Sequence, residues 1–315
     1  MLSSSVVAAK HEYCVYERLQ MKTIPAKTII TKMKKPSSWF GTDYNMNIYR
    51  GCCHGCIYCD SRSECYRNTD FDTVKAKANA LQIVRDDLRR KVKTGVIATG
   101  AMSDPYNPFE RNEKLTRNSL ELINAFGFGV AIDTKGILVT RDIDILNDIK
   151  SHSPVLVKMS ITTASDELSK IIEPSVASSS ERFAALKQLS DANLYCGVLM
   201  MPILPFINDT PENITAIVTN AKKAGAKFIY PAFGVTMRQG NREYFFEQLD
   251  KHFPGYKEKY ISKYRNNYVC TSPNARKLWG LFVALCKQND ILYDMKDIAY
   301  AYKRPYENEQ LNLFT

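Results

Sequence analysis

The sequence predicts an α/β fold, namely a partial, TIM-like (β/α)6 barrel with an extension at either end. Two observations support this prediction. Short apolar runs alternate along the chain with segments whose apolar residues recur at helical spacing, which is typical of parallel βα units. About six such units follow one another; eight would close a complete barrel, so six predict an open one.

The predicted strands are short apolar runs. The first lies around 45–50, directly before a cysteine-rich loop, and the others lie at 96–99, 129–134, 155–161, 197–204 and 226–233. In parallel α/β folds the functional site lies at the carboxyl ends of the strands. The cysteine loop follows the first strand, and we therefore expect it at that edge of the sheet.

Each helix between these strands is recognised by one apolar face. Apolar residues share a face at 115–126 and again at 179–193. The clearest boundaries belong to the next helix, in which Thr210 can cap, Pro211 fits the first turn and Gly225 ends the helix.

The predicted organisation is an N-terminal extension at 1–40, the barrel at 41–235, and a mostly helical C-terminal extension with a mobile tail at 236–315. With 315 residues and 45% hydrophobic content, the chain is long enough for one large core. The first residues lack the basic and apolar segments of a secretory signal, and no apolar run approaches the roughly 20 residues needed to span a membrane. These features and the nine cysteines favour a reducing cytoplasm, with no membrane partner.

The most informative motif is the cysteine loop, in which Cys52, Cys56 and Cys59 have the spacing C-x3-C-x2-C. Three thiolates on one short loop can hold three irons of a [4Fe-4S] cluster. The fourth iron then has no protein ligand and is free to bind a small molecule.

Two other interpretations of the loop stay open. A zinc ion could use the same cysteines with His54, although structural zinc sites are more often built from two distant cysteine pairs, and the sequence has no second pair. A reduced structural loop is the other interpretation, but three thiols so close together are an oxidation hazard. For His54 itself, a hydrogen bond to a cluster sulfide or a structural role is favoured, because a fourth protein ligand would block the open iron.

This motif resembles that of the radical SAM (S-adenosylmethionine) superfamily, and further blocks resemble its spore photoproduct lyase-like branch. The blocks are Ser103-Asp104-Pro105-Tyr106-x-Pro108, Ser160-Ile161-Thr162-Thr163, Ile172-Glu173-Pro174 followed by Arg182, and Pro202-Ile203-Leu204-Pro205 followed by Asn208-Asp209. Together with the cysteine loop they cover roughly residues 40–235 in the order that the family shows. The resemblance implies a partial barrel of the radical SAM type.

The resemblance also implies a cofactor set and a reaction. Cys52, Cys56 and Cys59 would hold a [4Fe-4S] cluster, at which SAM is cleaved reductively to a 5′-deoxyadenosyl radical with an electron from a separate donor. The residues expected to contact SAM are Tyr58, Ser103, Asp104, Ser160, Thr162, Glu173 and Arg182. The fork of Arg182 suits the SAM carboxylate. Each of these residues also has a structural interpretation, such as a turn cap for Asp104 or pairing between Glu173 and Arg182.

The lyase branch implies damaged or modified DNA as the substrate, but the sequence departs from the lyase at two places. Ala101 and Met102 stand where the lyase carries its hydrogen-donating cysteine, and Asp60 stands where it has a tyrosine after the third cluster cysteine. Candidates to replace that cysteine are Cys53, Cys65, Cys196 and Cys270. RNA, a peptide or a small metabolite stay open as substrates, as does a zinc-stabilised nucleic-acid-binding module without catalysis.

Charge and tail composition indicate further partners. The net charge of +10 suits a polyanion, and a candidate nucleic-acid surface consists of Lys257, Lys259, Tyr260, Lys263, Tyr264 and Arg265. The alternative is that these tyrosines pack on the barrel with the lysines outward, which is the commoner use of a helical stripe. The last residues include Gln310, Leu311, Leu313 and Phe314, and they resemble the tail by which bacterial DNA-processing proteins dock on the sliding clamp.

Overall fold

The computed structural model describes residues 21–33 and 39–307 and is built around one large sheet. In these residues the strands are β1 (Lys22–Ile24), β2 (Ile30–Lys32), β3 (Tyr44–Met46), β4 (Tyr49–Arg50), β5 (Lys75–Lys77), β6 (Val96–Thr99), β7 (Gly129–Thr134), β8 (Val155–Ser160), β9 (Cys196–Met200), β10 (Phe228–Pro231), β11 (Gly234–Thr236) and β12 (Val269–Thr271).

The large sheet has the order β10-β9-β8-β7-β6-β3-β2. All neighbours pair in parallel except β2, which pairs antiparallel with β3 at the edge. Each parallel strand is added beside the one before it, so the sheet is wound in one direction and its helices cover one face. This is a partial TIM-like barrel, and the predicted fold class is confirmed.

The helices of the described residues are α1 (Ala80–Arg89), α2 (Glu110–Glu113), α3 (Leu115–Ala125), α4 (Ile143–Lys150), α5 (Asp166–Ile172), α6 (Ser179–Asp191), α7 (Pro211–Lys223), α8 (Asn241–His252), α9 (Tyr256–Tyr264), α10 (Ala275–Gln288) and α11 (Met295–Lys303). As predicted, Thr210 caps α7 by accepting a hydrogen bond from the Asn213 N–H, and Pro211 occupies its first turn. None of these helices is long and apolar enough to cross a membrane.

The two faces of the sheet have different cores. Successive residues of a strand point to opposite faces, so Val130 and Ile132 join the large core beneath the helices, whereas Ala131 points into the barrel. The inner core contains Phe40 and Phe228 and is completed by α11, whose Tyr302 hydroxyl donates a 2.7 Å hydrogen bond to the Phe40 carbonyl. These residues form an aromatic floor inside the barrel.

The structure differs from the prediction at several strands. The strand predicted at 197–204 ends at Met200, because Pro202 has no N–H with which to continue a ladder. The first strand ends at Met46, and Tyr49–Arg50 pairs instead with β5 in a small separate sheet. The C-terminal extension is mostly helical as predicted, but β11 and β12 add an antiparallel pair that the sequence pattern does not reveal.

Candidate cofactor-binding site

The cysteine loop is held in place by backbone hydrogen bonds at both ends. The Cys52 N–H donates to the Phe71 carbonyl at 2.8 Å, and the Ile57 N–H donates to the Ile172 carbonyl at 3.0 Å. Gly51 has φ +81°, and a Cβ there would lie 2.3 Å from the Thr73 carbonyl oxygen. A side chain at position 51 is therefore excluded by both conformation and space.

The three thiols lie in a largely buried loop. Burial is the strongest influence on the pKa of Cys56 and of Cys59 and raises both. Burial also acts to raise the pKa of Cys52, but the neighbouring His54 outweighs it and the pKa is lowered. Because Cys52 contributes to the pKa of both other thiols, the three sulfurs share one electrostatic environment.

The fit of these residues to a cofactor rests on the chemistry of their donors. Three thiols are the ligand type of an iron–sulfur cluster. In the part of the chain that the structure describes, no three His, Cys, Asp or Glu side chains are gathered around one point as ligands of a single metal ion.

Asp104 connects the cysteine loop to the ends of β6 and β7. One carboxylate oxygen accepts hydrogen bonds from the Tyr106 N–H at 2.9 Å and the Thr134 hydroxyl at 2.6 Å. The other accepts the Lys135 N–H at 2.7 Å and lies 3.6 Å from His54 Nδ1. Both oxygens thus have protein partners, and Asp104 positions the loop. Its predicted contact with SAM stays a prediction.

Arg182 is completely buried behind the cysteine loop and is bound to the protein itself. Its Nη2 donates to Glu173 Oε2 at 2.5 Å and to the Ser169 hydroxyl at 2.7 Å, and its Nη1 donates to the Ser160 carbonyl at 2.7 Å. The other oxygen of Glu173 accepts the Tyr58 hydroxyl. The structure therefore brings Tyr58, Glu173 and Arg182 together. Glu173 pairs with Arg182, which the sequence analysis gave as the structural alternative to a contact with SAM.

The remaining predicted residues line the carboxyl ends of β6 and β8. Ser103 donates its hydroxyl to the Gly51 carbonyl, and the Ser160 side chain is largely buried. Thr162 is completely buried, and its Oγ1 has no hydrogen-bond partner among the described residues. A buried hydroxyl without a partner is costly, and a polar ligand bound at this edge would satisfy it.

Lys135 is a residue that the sequence interpretation missed. It directly follows β7 and is half-buried, with its Nζ 5.7 Å from the centre of the Tyr58 ring. Burial lowers the pKa of Lys135, but nearby Cys56 and Glu173 outweigh it and raise the pKa overall. Within residues 21–33 and 39–307, Lys135 forms no ion pair. Its position directly after the Gly129–Thr134 strand was the signal that could have identified it.

The candidate nucleic-acid surface on α9 divides into inward and outward residues. Tyr260 and Tyr264 are buried, and their hydroxyls donate to the carbonyls of Pro205 and Thr271. The expectation that these two rings stack on bases is corrected: they are packing residues, because the helix presents this stripe to the barrel. Lys259, Lys263 and Arg265 are exposed, whereas Lys257 is half-buried and pairs with Asp250 at 2.6 Å.

Of the four cysteines proposed to replace the lyase donor, three are buried and one is exposed. The buried ones are Cys53, Cys196 and Cys270, whereas Cys65 is exposed and accepts a contact from Arg238 Nη1 at 3.5 Å. Residues 310–315, which carry the predicted clamp-binding tail, lie outside the described residues.

Comparison with known proteins identifies related sequences and folds. The family model of the radical SAM superfamily matches residues 46–218. An uncharacterized protein of Mycobacterium tuberculosis is 31% identical over 232 residues, covering 71% of this chain and 67% of that protein. An uncharacterized protein of Methanocaldococcus jannaschii is 33% identical over 195 residues, covering 61% of this chain and 71% of its own length.

Among solved structures, spore photoproduct lyase complexed with dinucleoside spore photoproduct superposes with a TM-score of 0.63 at 14% identity, over 84% of this chain and 79% of the lyase. The radical SAM methyltransferase TsrM from Kitasatospora setae, with cobalamin and a [4Fe-4S] cluster bound, superposes with a TM-score of 0.53 at 12% identity. The superposition covers 92% of this chain and 58% of TsrM. At these identities the likeness is one of fold.

Proposed function

Because this chain belongs to the radical SAM superfamily, we propose that Cys52, Cys56 and Cys59 hold a [4Fe-4S] cluster and that the enzyme cleaves SAM reductively to act on damaged or modified DNA. The observation that carries the proposal is the cysteine loop at the carboxyl edge of the parallel strands, with Lys135 beside it, which has no ion-pair partner among the described residues. When bound, the cluster supplies the electron that splits SAM into methionine and a 5′-deoxyadenosyl radical, which then abstracts a hydrogen atom from the substrate.

Different residues of the protein hold different parts of SAM in this proposal. Lys135 is the cation available for the SAM carboxylate, since every terminal nitrogen of Arg182 already donates to a protein oxygen. The Thr162 hydroxyl offers a hydrogen bond to the polar part of the ligand. The Glu173–Arg182 pair fixes the Tyr58 hydroxyl and so holds that ring next to the cluster ligands.

The DNA substrate is supported by charge and by resemblance. The net charge of +10 and the exposed lysines of α9 suit a polyanion. The sequence blocks resemble those of the lyase branch. With Ala101 and Met102 at the donor position, the lyase's own cysteine relay has no counterpart there, so the reaction on the substrate would end differently.

The test of the proposal is anaerobic reconstitution with iron and sulfide, followed by SAM and dithionite in place of the physiological electron donor. We expect the wild type to hold iron and sulfide and to form 5′-deoxyadenosine. Cys56→Ala should form none, whereas Cys286→Ala, which removes a buried thiol on α10, should behave like the wild type. Zinc in place of iron, with no nucleoside product, would overturn the proposal and favour the zinc-stabilised binding module.

The substrate is tested separately, by adding UV-treated DNA, untreated DNA, RNA and peptides to the reconstituted enzyme. If damaged DNA is the substrate, we expect UV-treated duplex, and none of the other additions, to stimulate 5′-deoxyadenosine formation. The damaged DNA should also be chemically changed in the reaction. Stimulation by RNA or a peptide instead would contradict the DNA assignment and leave the SAM chemistry intact. We also propose that the tail binds the sliding clamp, and clamp binding that survives deletion of residues 310–315 would refute this.

A further inference from the structure

A buried ion pair lies inside the barrel, above the aromatic floor. Asp133 on β7 and Lys158 on β8 are direct neighbours in the parallel register, and Lys158 Nζ lies 2.5 Å from Asp133 Oδ1. Both residues point to the inner face, because they alternate with Ile132 and Val157 of the outer core. The other oxygen of Asp133 accepts the Trp39 indole N–H at 3.3 Å.

The pair is incompletely satisfied. The Lys158 side chain has no exposed surface, and its ammonium pairs with Asp133 Oδ1. Beyond this contact, neither Nζ nor Oδ1 has a hydrogen-bond partner among the residues that the structure describes. The nearest groups on the floor side are aromatic, with Nζ 4.5 Å from the centre of the Phe40 ring and 5.6 Å from that of Trp39.

A buried ion pair of this kind contributes little to the stability of a fold. Desolvating two charges costs several kcal/mol per ion, and well-packed apolar residues of similar size often stabilise a core better. An ammonium has three N–H groups, so Lys158 retains donors that the aromatic rings satisfy only weakly. A desolvated ionisable group beside a specific charge partner is a candidate for a functional site.

The position of the pair joins it to the cofactor site. Lys135 lies two residues beyond Asp133, directly after the end of β7, and Ser160 lies two residues beyond Lys158 at the end of β8. Two residues of extended chain span about 7 Å. A Cβ on Gly100 would lie 1.8 Å from the Asp133 carbonyl oxygen. The turn that carries Ala101 and Met102, where the lyase has its donor cysteine, therefore begins directly against Asp133.

We propose that Asp133 and Lys158 form the substrate-recognition site on the inner wall of the barrel, and that they bind the hydrogen-bonding edge of a nucleobase. The pair has no net charge and therefore suits a neutral ligand. It presents an acceptor beside a donor, which matches the adjacent donor and acceptor atoms of a base edge. The half-buried rings of Trp39 and Tyr230 meet edge to face with their centres 5.8 Å apart, and they add aromatic surface against which a base can pack. This inference rests on the proposed function, whose substrate class it specifies.

The fluorescence of Trp39 provides a test that does not need turnover. The chain has two tryptophans, so Trp279→Phe leaves Trp39 as the sole source of tryptophan fluorescence. Its indole N–H donates a hydrogen bond to Asp133, so its emission reports on the proposed site. The reconstituted protein with SAM bound is titrated with each of the four common deoxynucleosides and with deoxyribose as the sugar control. We expect at least one nucleoside to change the Trp39 emission saturably and deoxyribose to have no effect.

The pair is then replaced by neutral residues of similar shape. In the Trp279→Phe protein, Asp133→Asn with Lys158→Met should weaken nucleoside binding at least tenfold. The double variant avoids the unpaired buried charge that either single change would leave. The matched control makes the same changes at an exposed ion pair on α6, Lys187→Met with Asp191→Asn, and should bind like the parent. Iron content and melting temperature show whether each variant is folded.

Three results would overturn the inference. One is no response of Trp39 to any nucleoside in a protein that forms 5′-deoxyadenosine. Another is a folded double variant that binds nucleosides as the parent does. The third is a double variant that loses its iron or melts far below the parent, which would make the pair structural. If the wild type holds no iron and forms no 5′-deoxyadenosine, the proposed function itself has failed, and the two failures are thereby distinguished.

Discussion

Glu173 is the residue that organises the polar side of the cofactor site. It is completely buried, and its two oxygens are shared between the Tyr58 hydroxyl and the Arg182 guanidinium. Burial acts to raise the pKa of Glu173, but Arg182 and Lys135 outweigh it and the pKa is lowered. Arg182, Lys135 and the Tyr58 hydroxyl together favour the ionised carboxylate.

This dependence predicts strong coupling between Glu173 and Arg182. Arg182→Met leaves a buried carboxylate without its principal partner, and we expect a loss of about 3–5 kcal/mol in the free energy of unfolding. Adding Glu173→Gln removes that charge and should recover a large part of the loss. Urea unfolding of the two single variants and the double variant measures the coupling. Simple additivity would show that the two residues act independently.

Lys135 leads to a prediction about ligand affinity. We expect Lys135→Met to weaken SAM binding to the reconstituted protein at least tenfold, because it removes the cation that lies beside the cysteine loop. Equilibrium dialysis with labelled SAM measures the affinity, and iron content confirms that the cluster is present. Lys187→Met, on the exposed face of α6, is the control. An affinity within twofold of wild type would assign the carboxylate to another residue.

At the scale of elements, the Asp87 carboxylate on α1 connects the first helix to β2 at the edge of the sheet by hydrogen bonds. Asp87 on α1 is almost completely buried, and its Oδ2 accepts the N–H groups of Ile29 and Ile30 at 2.7 and 2.8 Å. Burial acts to raise the pKa of Asp87, but these N–H groups and Arg90 outweigh it, so the pKa is lowered. The N-terminal extension is thereby connected to the barrel.

We expect Asp87→Ala to reduce the free energy of unfolding by about 2–4 kcal/mol, since two buried N–H groups lose a charged acceptor. Because the pKa is lower in the folded protein, the stabilisation is present above about pH 4 and is lost as the pH falls through the folded value. Unfolding measured between pH 3 and pH 7 tests both points. Asp86→Ala should have little effect, because the Asp86 carboxylate accepts exposed hydrogen bonds from the Gln82 side chain.

At the scale of the whole molecule, the lysines and the tyrosine stripe of α9 differ in burial. Tyr260 and Tyr264 pack into the core shared with the cysteine loop, whereas the lysines of the same helix face outward. A change in the stripe should therefore alter folding, and a change in the lysines should alter the binding of polyanions.

The corresponding experiment compares three variants for DNA binding over a range of salt concentrations. Replacing Lys257, Lys259 and Lys263 with Gln should weaken binding and lower the salt slope by about 0.9 for each DNA phosphate that the variant no longer neutralises. Replacing Lys170, Lys187 and Lys223 removes the same charge elsewhere and should leave the slope unchanged. Tyr260→Ala should instead cost about 3–5 kcal/mol of stability. An equal reduction of DNA affinity in both lysine variants would contradict a localised surface.

The sequence by itself determined the features that depend on local spacing. The cysteine motif, the six parallel strands and the boundaries of α7 are all readable from residues close together in the chain, because ligand spacing, strand length and helix capping are local properties. The order of the strands followed from their alternation with helices, since parallel strands joined by helical crossovers are restricted to few arrangements.

Only the tertiary structure decided which charged groups meet. Arg182 pairs with Glu173 rather than standing free, Lys135 comes to lie beside Tyr58, and Lys158 meets Asp133 inside the barrel. These contacts depend on the register of neighbouring strands and on which face each residue presents, and a shift of one residue would exchange the two faces. A lysine within an apolar run shows no such partner in the sequence, because the partner lies on another strand and only sheet formation brings the two charges together.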